Sequence, residues 1–426
     1  MPKLIQFSKS VKSVIFWSVI SAAFIGPGTV TTCAIAGATY GLDLLWALTF
    51  ATAACIVLQE TVARITIASG HSLGEVIAMR YARKITKYLV AGAIVFGCAA
   101  YQAGNILGAV AGLGLIFDIN NQWLTLIVVA LASLALGLGN TKHISQFLGI
   151  LVALMGVMFM IVATRSDFSF ARFFSAALIP SFPNNAGLLV IGLVGTTIVP
   201  YNLFLGSGIG KGQEIGEMRM GIILAILIGG FISMAILVSG TIVKGEFSYS
   251  LMSEALSEQL GTWMGFFFAV GLFSAGFTSA ITAPLAANIT VLSVADTNDK
   301  HYHYYKFVWV GVMLVGFIFG ISGVKPIPII ILAQVLNGLV LPLITIFIVL
   351  IINDKKIIPQ TYRNTIFMNL ALLLVVGITT FLGLSNIEKG VVSALNINIP
   401  SELSLWVMSS ISLTVVLILG GLTLRK

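Results

Sequence analysis

The sequence predicts an all-α polytopic membrane protein made of two inverted five-helix halves followed by two additional helices. The 426 residues are 58% hydrophobic and only 9% charged, whereas about a quarter of the residues in a soluble domain are charged. About twelve apolar runs are long enough to cross a bilayer. Two of these runs carry a proline beside glycine and threonine in mid-membrane, at corresponding places in the two halves.

Each predicted span is a run of about 20 mainly apolar residues. The spans, in order, are residues 13–39, 44–68, 86–117, 122–140, 144–164, 186–209, 220–244, 261–294, 306–323, 326–352, 363–384 and 403–423. We expect 71–84 and 247–259 to form short interfacial helices. The first run follows three lysines and resembles a signal peptide, but its length and the lack of a small-residue cleavage site indicate a retained span.

No polar interval is long enough to fold as a separate soluble unit, so residues 1–426 are predicted to form a single transmembrane domain. Residues 13–164 would be the first inverted repeat and 186–352 the second, because an odd number of spans in each half inverts the second half. Residues 353–426 would contribute the two additional helices.

The distribution of lysine and arginine predicts the orientation. Of the 23 basic residues, all but five fall in loops on the same side as the N-terminus. The five exceptions are Arg165, Arg172, Lys244, Lys325 and Lys389. We therefore expect both termini to be cytoplasmic. The net charge of +8 is explained by topology, so it requires neither a nucleic acid nor an obligate protein partner.

The first span contains Gly26-Pro27-Gly28-Thr29, followed by further threonines. Proline removes a backbone N–H and clashes with the preceding turn, while glycine adds backbone freedom, so the helix should break here. Unpaired backbone groups at membrane depth are tolerated only against protein or a water-filled cavity. This stretch is therefore predicted to line a solute-binding site.

The sixth span repeats this pattern in Gly195-Thr196-Thr197-Ile198-Val199-Pro200-Tyr201. One proline alone would favour an ordinary kink, because proline is common in membrane helices. Two prolines, each in the first span of its half and each beside glycine and hydroxyl residues, favour a pair of helix breaks around one central site.

These stretches resemble the natural resistance-associated macrophage protein (Nramp) family. The similarity is carried by residues 26–46 (GPGTVTTCAIAGATYGLDLLW), 58–70 (LQETVARITIASG), 195–207 (GTTIVPYNLFLGS) and 333–342 (AQVLNGLVLP). The resemblance covers most of the first ten spans. It implies a LeuT-type fold and a secondary transporter in the inner membrane of a bacterium. Usual members of the family carry divalent transition metals together with protons.

The motif residues that hold metal in the family are changed in this chain. The family's Asp-Pro-Gly-Asn motif is replaced by Gly26-Pro27-Gly28-Thr29. Its Met-Pro-His motif is replaced by Val199-Pro200-Tyr201. A second family histidine falls at Gly206. These departures remove the carboxylate, the thioether and the imidazoles.

The acidic pair that the family associates with proton passage is also absent, since those positions align with Gln102 and Asn105. The glutamine of the tenth span is retained as Gln334. The predicted helix-break residues are Pro27, Gly28 and Pro200. The predicted substrate-binding residues are Gly26, Thr29, Val199, Tyr201, Asn202, Gln334 and Asn337.

The altered site leaves three hypotheses about function. Selection of transition metals needs soft or borderline ligands, and dehydrated hard cations are normally held by carboxylates. The residues therefore favour altered cation selectivity, for example for hydrated magnesium, with weak or absent proton coupling. The alternatives are a transporter of a small neutral or zwitterionic organic solute, such as an amino acid, and a receptor or scaffold that does not transport.

The eighth span carries Ser274 and Thr278 on one face. In LeuT-type folds a sodium site commonly lies between the first and eighth spans, so these hydroxyls are candidate sodium ligands. The competing explanation is helix packing, because small and hydroxyl residues mediate contacts between membrane helices.

Other polar residues point away from enzymatic or typical metal chemistry. Glu60 is the acid that lies well inside an apolar run, and the nearby Arg64 predicts an i,i+4 ion pair. The three cysteines lie in apolar runs and the four histidines in loops, so no metal site of the usual kind and no cofactor is predicted. The sequence has no phosphate-binding loop and no HExxH or GxSxG motif, so we do not expect an enzyme.

Overall fold

The computed structural model of the protein describes residues 25–81, 83–139, 141–166, 168–209, 214–295, 302–395 and 400–424, and within these ranges it is helical without strands. In chain order the helices are α1 (Pro27–Tyr40), α2 (Leu45–Ser69), α3 (Leu73–Arg80), α4 (Lys84–Gly114), α5 (Asn121–Leu138), α6 (Thr141–Thr164), α7 (Phe170–Leu178), α8 (Gly187–Thr197), α9 (Pro200–Ile209), α10 (Ile215–Gly240), α11 (Tyr249–Leu260), α12 (Trp263–Val294), α13 (Tyr302–Tyr305), α14 (Val308–Ile321), α15 (Pro326–Ile352), α16 (Ile366–Leu395) and α17 (Ser401–Leu424). A short 3₁₀ turn, Gln360–Tyr362, lies between α15 and α16.

The predicted transmembrane architecture is confirmed. In the described part of the chain, ten segments are long and apolar enough to cross a membrane, and one of them is the α8–α9 pair, which counts as a single span. Helix α14 is a shorter apolar helix. Helix α1 covers the second half of the first predicted span, and residues 13–24 lie outside the described residues.

Within the described residues, the backbone is not helical at either predicted break position. Gly26 is extended, with φ −91° and ψ 177°, and α1 begins at Pro27. In the sixth span α8 ends at Thr197, Ile198 leaves the helical region with φ −98° and ψ 87°, and α9 begins at Pro200. Proline suits the first position of a helix because its missing N–H has no helical partner there.

Helices α4 and α12 are the two longest helices of the described chain. They contain 31 and 32 residues, or about 46–48 Å at 1.5 Å per residue, and so exceed a hydrocarbon core of about 30 Å. Gly276 lies against the backbone of Ala109, and Gly112 against the backbone of Ala269 and Phe273. Small residues allow this close backbone approach, and dispersion contacts then hold the two helices together.

Helix α1 is held beside α10 by the same device. Gly37 lies against the carbonyl of Leu237, and Gly240 lies against the carbonyl of Ala34. In addition, the Thr31 hydroxyl lies 2.7 Å from the Tyr249 hydroxyl of α11. These contacts position the helix that begins at the first break.

At the end of the bundle that is predicted to be cytoplasmic, an ionic cluster joins three segments. The predicted Glu60–Arg64 pair is confirmed at 3.0 Å between Oε2 and Nη2. Arg219 of α10 also donates to Glu60, with 2.7 Å between Nε and Oε1. Arg64 donates further to the Tyr362 carbonyl at 2.9 Å and to Asn364 Oδ1 at 2.6 Å. Nearby, Arg80 of α3 pairs with Asp354.

Two short predicted helices are confirmed, as α3 and α11. Helix α3 begins with a capping box, in which the Ser72 amide donates to Glu75 Oε2 at 2.6 Å. Helix α16 continues to Leu395, beyond the predicted end at 384. The prediction ends where the apolar run ends, whereas the helix continues through the polar residues that follow.

Helix α7 was not predicted. It has only nine residues, and Ser169 caps its N-terminus by accepting from the Arg172 amide at 3.3 Å. Phe170, Phe174 and Leu178 are exposed on one face, which is typical of a helix lying in a membrane interface. The prediction assigns residues 165–185 to a connection between spans, although the apolar residues at intervals of four behind Ser169 are a helical pattern.

Candidate functional site

A small buried cavity lies where the two helix breaks meet. Its lining comes from both breaks and from the third and eighth spans: Gly26, Gly28, Thr29, Tyr101, Asn105, Thr196, Val199, Tyr201 and Ser279. About 10 Å³ is open to the centre of a water molecule, which is room for about one water. The space in the cavity is therefore far smaller than a hydrated ion.

A hydroxyl pair joins the two breaks directly. Thr29 Oγ1 and Thr196 Oγ1 are 2.9 Å apart, and both side chains are buried. Because Thr29 follows the break in the first span and Thr196 precedes the break in the sixth, this bond couples the two broken helices. A hydroxyl offers one donor and two acceptor lone pairs, so it can face either an ion or its water.

Gln334 of α15 is packed between the two breaks without lining the cavity. Gly28 lies directly against its side-chain amide, and Gly195 lies against its backbone carbonyl. The Tyr101 hydroxyl contacts Gln334 Oε1 and donates to the Gly195 carbonyl at 2.7 Å. Tyr101 and Tyr201 pack edge to face, with ring centroids 5.6 Å apart. Any carbon at position 28 would collide with this amide.

The predicted proton-pathway positions form a neutral amide pair. Gln102 Nε2 donates to the Ala280 carbonyl at 3.0 Å, and Asn105 Nδ2 lies 3.5 Å from Gln102 Oε1. Asn105 lines the cavity and Gln102 lies behind it. Carboxamides do not titrate in the physiological range, so this pair cannot take up or release a proton.

Two further predicted residues are buried beside the site but do not line the cavity. Asn202, in the first turn of α9, is fully buried and neither of its side-chain polar atoms has a hydrogen-bond partner. Asn337 Nδ2 is also buried and unpaired. Each such group costs about 1–3 kcal/mol, and unpaired groups of this kind occur where a ligand or water is exchanged.

The predicted sodium ligands are turned towards their own helix. Ser274 Oγ donates to the Val270 carbonyl at 2.7 Å, and Thr278 Oγ1 donates to the Ser274 carbonyl at 2.8 Å. Neither lines the cavity. Ser279 does, and a carbon added at Gly26 would lie 3.2 Å from its Oγ.

The structure therefore brings Gly26, Thr29, Val199, Tyr201 and Asn105 to the cavity. Sequence reasoning missed Tyr101, Thr196 and Ser279. Thr196 stands in the same threonine-proline stretch as the second break, so its signal was present. Tyr101 and Ser279 each adjoin a residue that was singled out, and only the rotation of their helices decides which neighbour faces inward.

Among the described residues, no group of three or more histidine, cysteine or acidic side chains converges to hold a metal. Cys33, Cys55 and Cys98 are buried free thiols. The cavity lining offers hydroxyls, a carboxamide and backbone groups, but no carboxylate, imidazole or thioether. Such a site can hydrogen-bond the waters of an ion or a polar solute.

A bundle of membrane-spanning helices in which two broken helices meet at a buried polar cavity defines an integral membrane transporter. The model of the natural resistance-associated macrophage protein-like family matches residues 18–387, and the chain belongs to that family.

Relatives and solved structures agree with this assignment. The chain is 25% identical over 390 residues to the divalent metal cation transporter MntH of Yersinia pestis, covering 86% of this chain and 93% of the relative. It is 24% identical to MntH of Verminephrobacter eiseniae, covering 82% and 83%. A mutant of the Eremococcus coleocola manganese transporter has a similar fold, with a TM-score of 0.75 at 18% identity over 99% of this chain and 94% of that one.

Proposed function

We propose that this protein is a secondary transporter of divalent metal cations that holds its ion through hydroxyl, carboxamide and water oxygens. Family membership and the names of its relatives support a divalent cation as cargo. The cavity supports the finer proposal, because its neutral oxygens suit a hard ion that keeps part of its water shell, such as Mg²⁺. Manganese and iron would gain no soft ligand here.

The small volume of the cavity supports alternating access. A hydrated divalent ion does not fit a space for about one water, so loading requires the two broken helices to separate. The Thr29–Thr196 bond is the polar contact that must open. We propose that the ion or its water replaces this bond, satisfying both hydroxyls in the loaded state.

The neutral pair Gln102 and Asn105 supports weak or absent proton coupling. Transport would then follow the ion gradient. The charge distribution supports cytoplasmic termini, and the bacterial relatives support an inner-membrane location.

Ligand-dependent stabilisation of the purified protein tests the cargo, since a ligand that binds the folded state raises the unfolding temperature. We expect millimolar Mg²⁺ to raise the unfolding temperature more than Mn²⁺, and the Thr29→Ala, Gln334→Ala double variant to lose the effect. Thr290→Ala is the matched control, because Thr290 is buried on α12 and donates to its own helix at Ala286. Stabilisation by amino acids with no response to any divalent ion would refute the metal proposal.

Flux into liposomes tests the coupling. With a Mg²⁺ gradient and a pH-sensitive dye inside, we expect Mg²⁺ uptake without acidification of the lumen. Acidification that scales with Mg²⁺ uptake would refute uncoupled transport. Replacing sodium by choline in the same assay tests the predicted involvement of Ser274 and Thr278, because a sodium-coupled carrier would slow.

A further inference from the structure

A second cavity, away from the central site, lies among the second, sixth and eleventh spans. It is lined by Trp46, Phe50, Phe182, Val190 and Ile378, together with neighbouring residues of α16, and nearly all of its surface is apolar. Its volume is about 260 Å³. Apolar cavities of this kind stay free of water, so hydrocarbon is the matching occupant.

The cavity opens towards the bilayer. Trp46, Phe50, Ile378 and Leu382 are all half-buried, and Phe182 is 70% exposed. These side chains belong to helices long and apolar enough to span the membrane, apart from Phe182, which lies in the connection before α8. An acyl chain of a neighbouring lipid therefore reaches the cavity without crossing a polar layer.

Trp46 indicates where the rim of the cavity lies relative to the membrane surface. Its indole Nε1 donates to the Ser181 carbonyl at 2.8 Å, and its ring packs against Phe182 with 4.8 Å between centroids. Trp46 is the second residue of α2, at the end of the span. Tryptophan with its N–H bonded and its ring in an apolar setting is typical of the membrane–water interface, so the upper rim lies at headgroup level.

The side chain of Lys389 lies above the cavity, on the same face of α16 as two of the cavity residues. Ile378, Leu382 and Lys389 of α16 are spaced four and seven residues apart, which places them within about 40° of one another. The Lys389 ammonium reaches Gly187, at the first turn of α8. Gly187 is three residues, or about 4.5 Å of helix rise, above the cavity residue Val190.

The depth of the groove below Lys389 matches one leaflet. From Gly377 at the cavity to Lys389, α16 rises by about 18 Å at 1.5 Å per residue. Half of a hydrocarbon core is about 15 Å thick. The neighbouring acid, Glu388, is turned by about 100° from Lys389 around the helix. The ammonium is therefore the group presented above the cavity.

We propose that this groove is a binding site for one phospholipid, with an acyl chain in the apolar cavity and its phosphate on Lys389. The lipid belongs to the leaflet on the side that the basic residues predict to be external. It packs against α8, the half-helix that ends at Thr196 and Thr197 beside the central site.

Native mass spectrometry of the full chain, delipidated and titrated with phosphatidylglycerol, tests the site. We expect one lipid to remain at high collision energy on the wild type. Lys389→Gln should reduce its retention at least fivefold, by removing the charge, and Leu382→Trp should do so by filling the cavity. The matched controls are Lys325→Gln, another exposed lysine on the predicted external side, and Leu417→Trp on the exposed face of α17.

A second measurement does not depend on the Lys389 and Leu382 variants. Phosphatidylglycerol brominated on its acyl chain should quench the fluorescence of the wild type more than that of Trp46→Phe, because bromine in the cavity lies beside the indole. Equal quenching of both proteins, or lipid retention unchanged in Lys389→Gln, would overturn the proposal.

Discussion

At the scale of single residues, the central site is lined by neutral groups at the positions where the family's motifs carry charged or soft ligands. Position 26 is a glycine whose added carbon would meet only the Ser279 hydroxyl, at 3.2 Å. Thr29 faces Thr196 across the meeting point of the two breaks. The prolines that shape the backbone are kept, while the groups around them are neutral. The proposed chemistry of this transporter therefore depends on oxygen dipoles and not on ion pairing.

Thr29→Val should weaken Mg²⁺ binding about tenfold. The isosteric change removes a hydroxyl that would face the ion or its water in the loaded state. A hydrogen bond to a charged group contributes about 1–1.5 kcal/mol more than the neutral Thr29–Thr196 bond that it replaces, and this difference corresponds to about a factor of ten in affinity. Calorimetric titration measures the effect. The control is Thr290→Val, a buried threonine of α12 bonded within its own helix; equal affinities of the two variants would argue against a role for Thr29.

Gly26→Asp combined with Val199→Met should raise the affinity for Mn²⁺ relative to Mg²⁺ by at least tenfold. The pair restores a carboxylate and a thioether to the cavity lining, and a soft ligand favours the transition metal. Titration with both ions gives the ratio. Gly26→Asp with Val199→Leu keeps the carboxylate and a side chain of similar size without the thioether, and a ratio no different from that of this control would contradict the expectation.

At the scale of helices, contacts at glycine bring backbones together where the broken segments must be held. Gly37 and Gly240 place α1 against α10, and Gly112 and Gly276 place α4 against α12. These contacts fix the walls of the site, while the break residues themselves remain between them. The glycine contacts thus hold the helices in position, while the break residues are the parts proposed to move.

Gly37→Ala should destabilise the protein by about 1–3 kcal/mol, because the new methyl group would collide with the Leu237 carbonyl and force the two backbones apart. Thermal unfolding in detergent measures the change. In contrast, Gly92 of α4 has open space where a methyl group would be added, so Gly92→Ala should be neutral or slightly stabilising. A similar loss of stability in both variants would indicate that the close approach is unimportant.

At the scale of the whole molecule, the Glu60 cluster joins the second span, the seventh span and the connection between the tenth and eleventh. It lies at the end of the bundle predicted to be cytoplasmic, and Arg80 with Asp354 closes the same end. The cluster therefore ties α2 and α10 to the connection between α15 and α16.

Glu60→Gln should reduce stability by about 3–5 kcal/mol, because Arg64 is only 2% exposed and would lose its buried counter-charge. Chemical unfolding of the purified protein gives the difference. Glu258→Gln, at an exposed position of α11, should leave stability nearly unchanged. Unfolding of Glu60→Gln at the wild-type midpoint would show that Arg64 is neutralised in another way.

Features that depend on residue type and local backbone chemistry could be predicted from the sequence, and features that depend on helix rotation could not. Apolar runs and the Pro27 and Pro200 breaks could be predicted because backbone hydrogen bonding in lipid permits few alternatives. Helix α7 was missed although the shorter helix α3 was predicted, because the prediction assigns residues 165–185 to a connection between spans and does not use their pattern of Phe170, Phe174 and Leu178. Tyr101 and Ser279 could not be separated from Gln102 and Thr278, because one residue changes the direction of a side chain by about 100°.

The amino-acid sequence was sufficient to predict a membrane protein with breaks at Pro27 and Pro200, because these features depend on residue type and local backbone chemistry. The predicted loss of charged and soft ligands at the breaks depends on the resemblance to the family's motifs. Only the tertiary structure decided that Thr29 meets Thr196, that Gln334 fills the space beside Gly28, and that Ser279 faces the cavity. These facts depend on the rotation and close approach of helices that are distant in the chain. Packing of whole helices sets those quantities, and no local pattern encodes them.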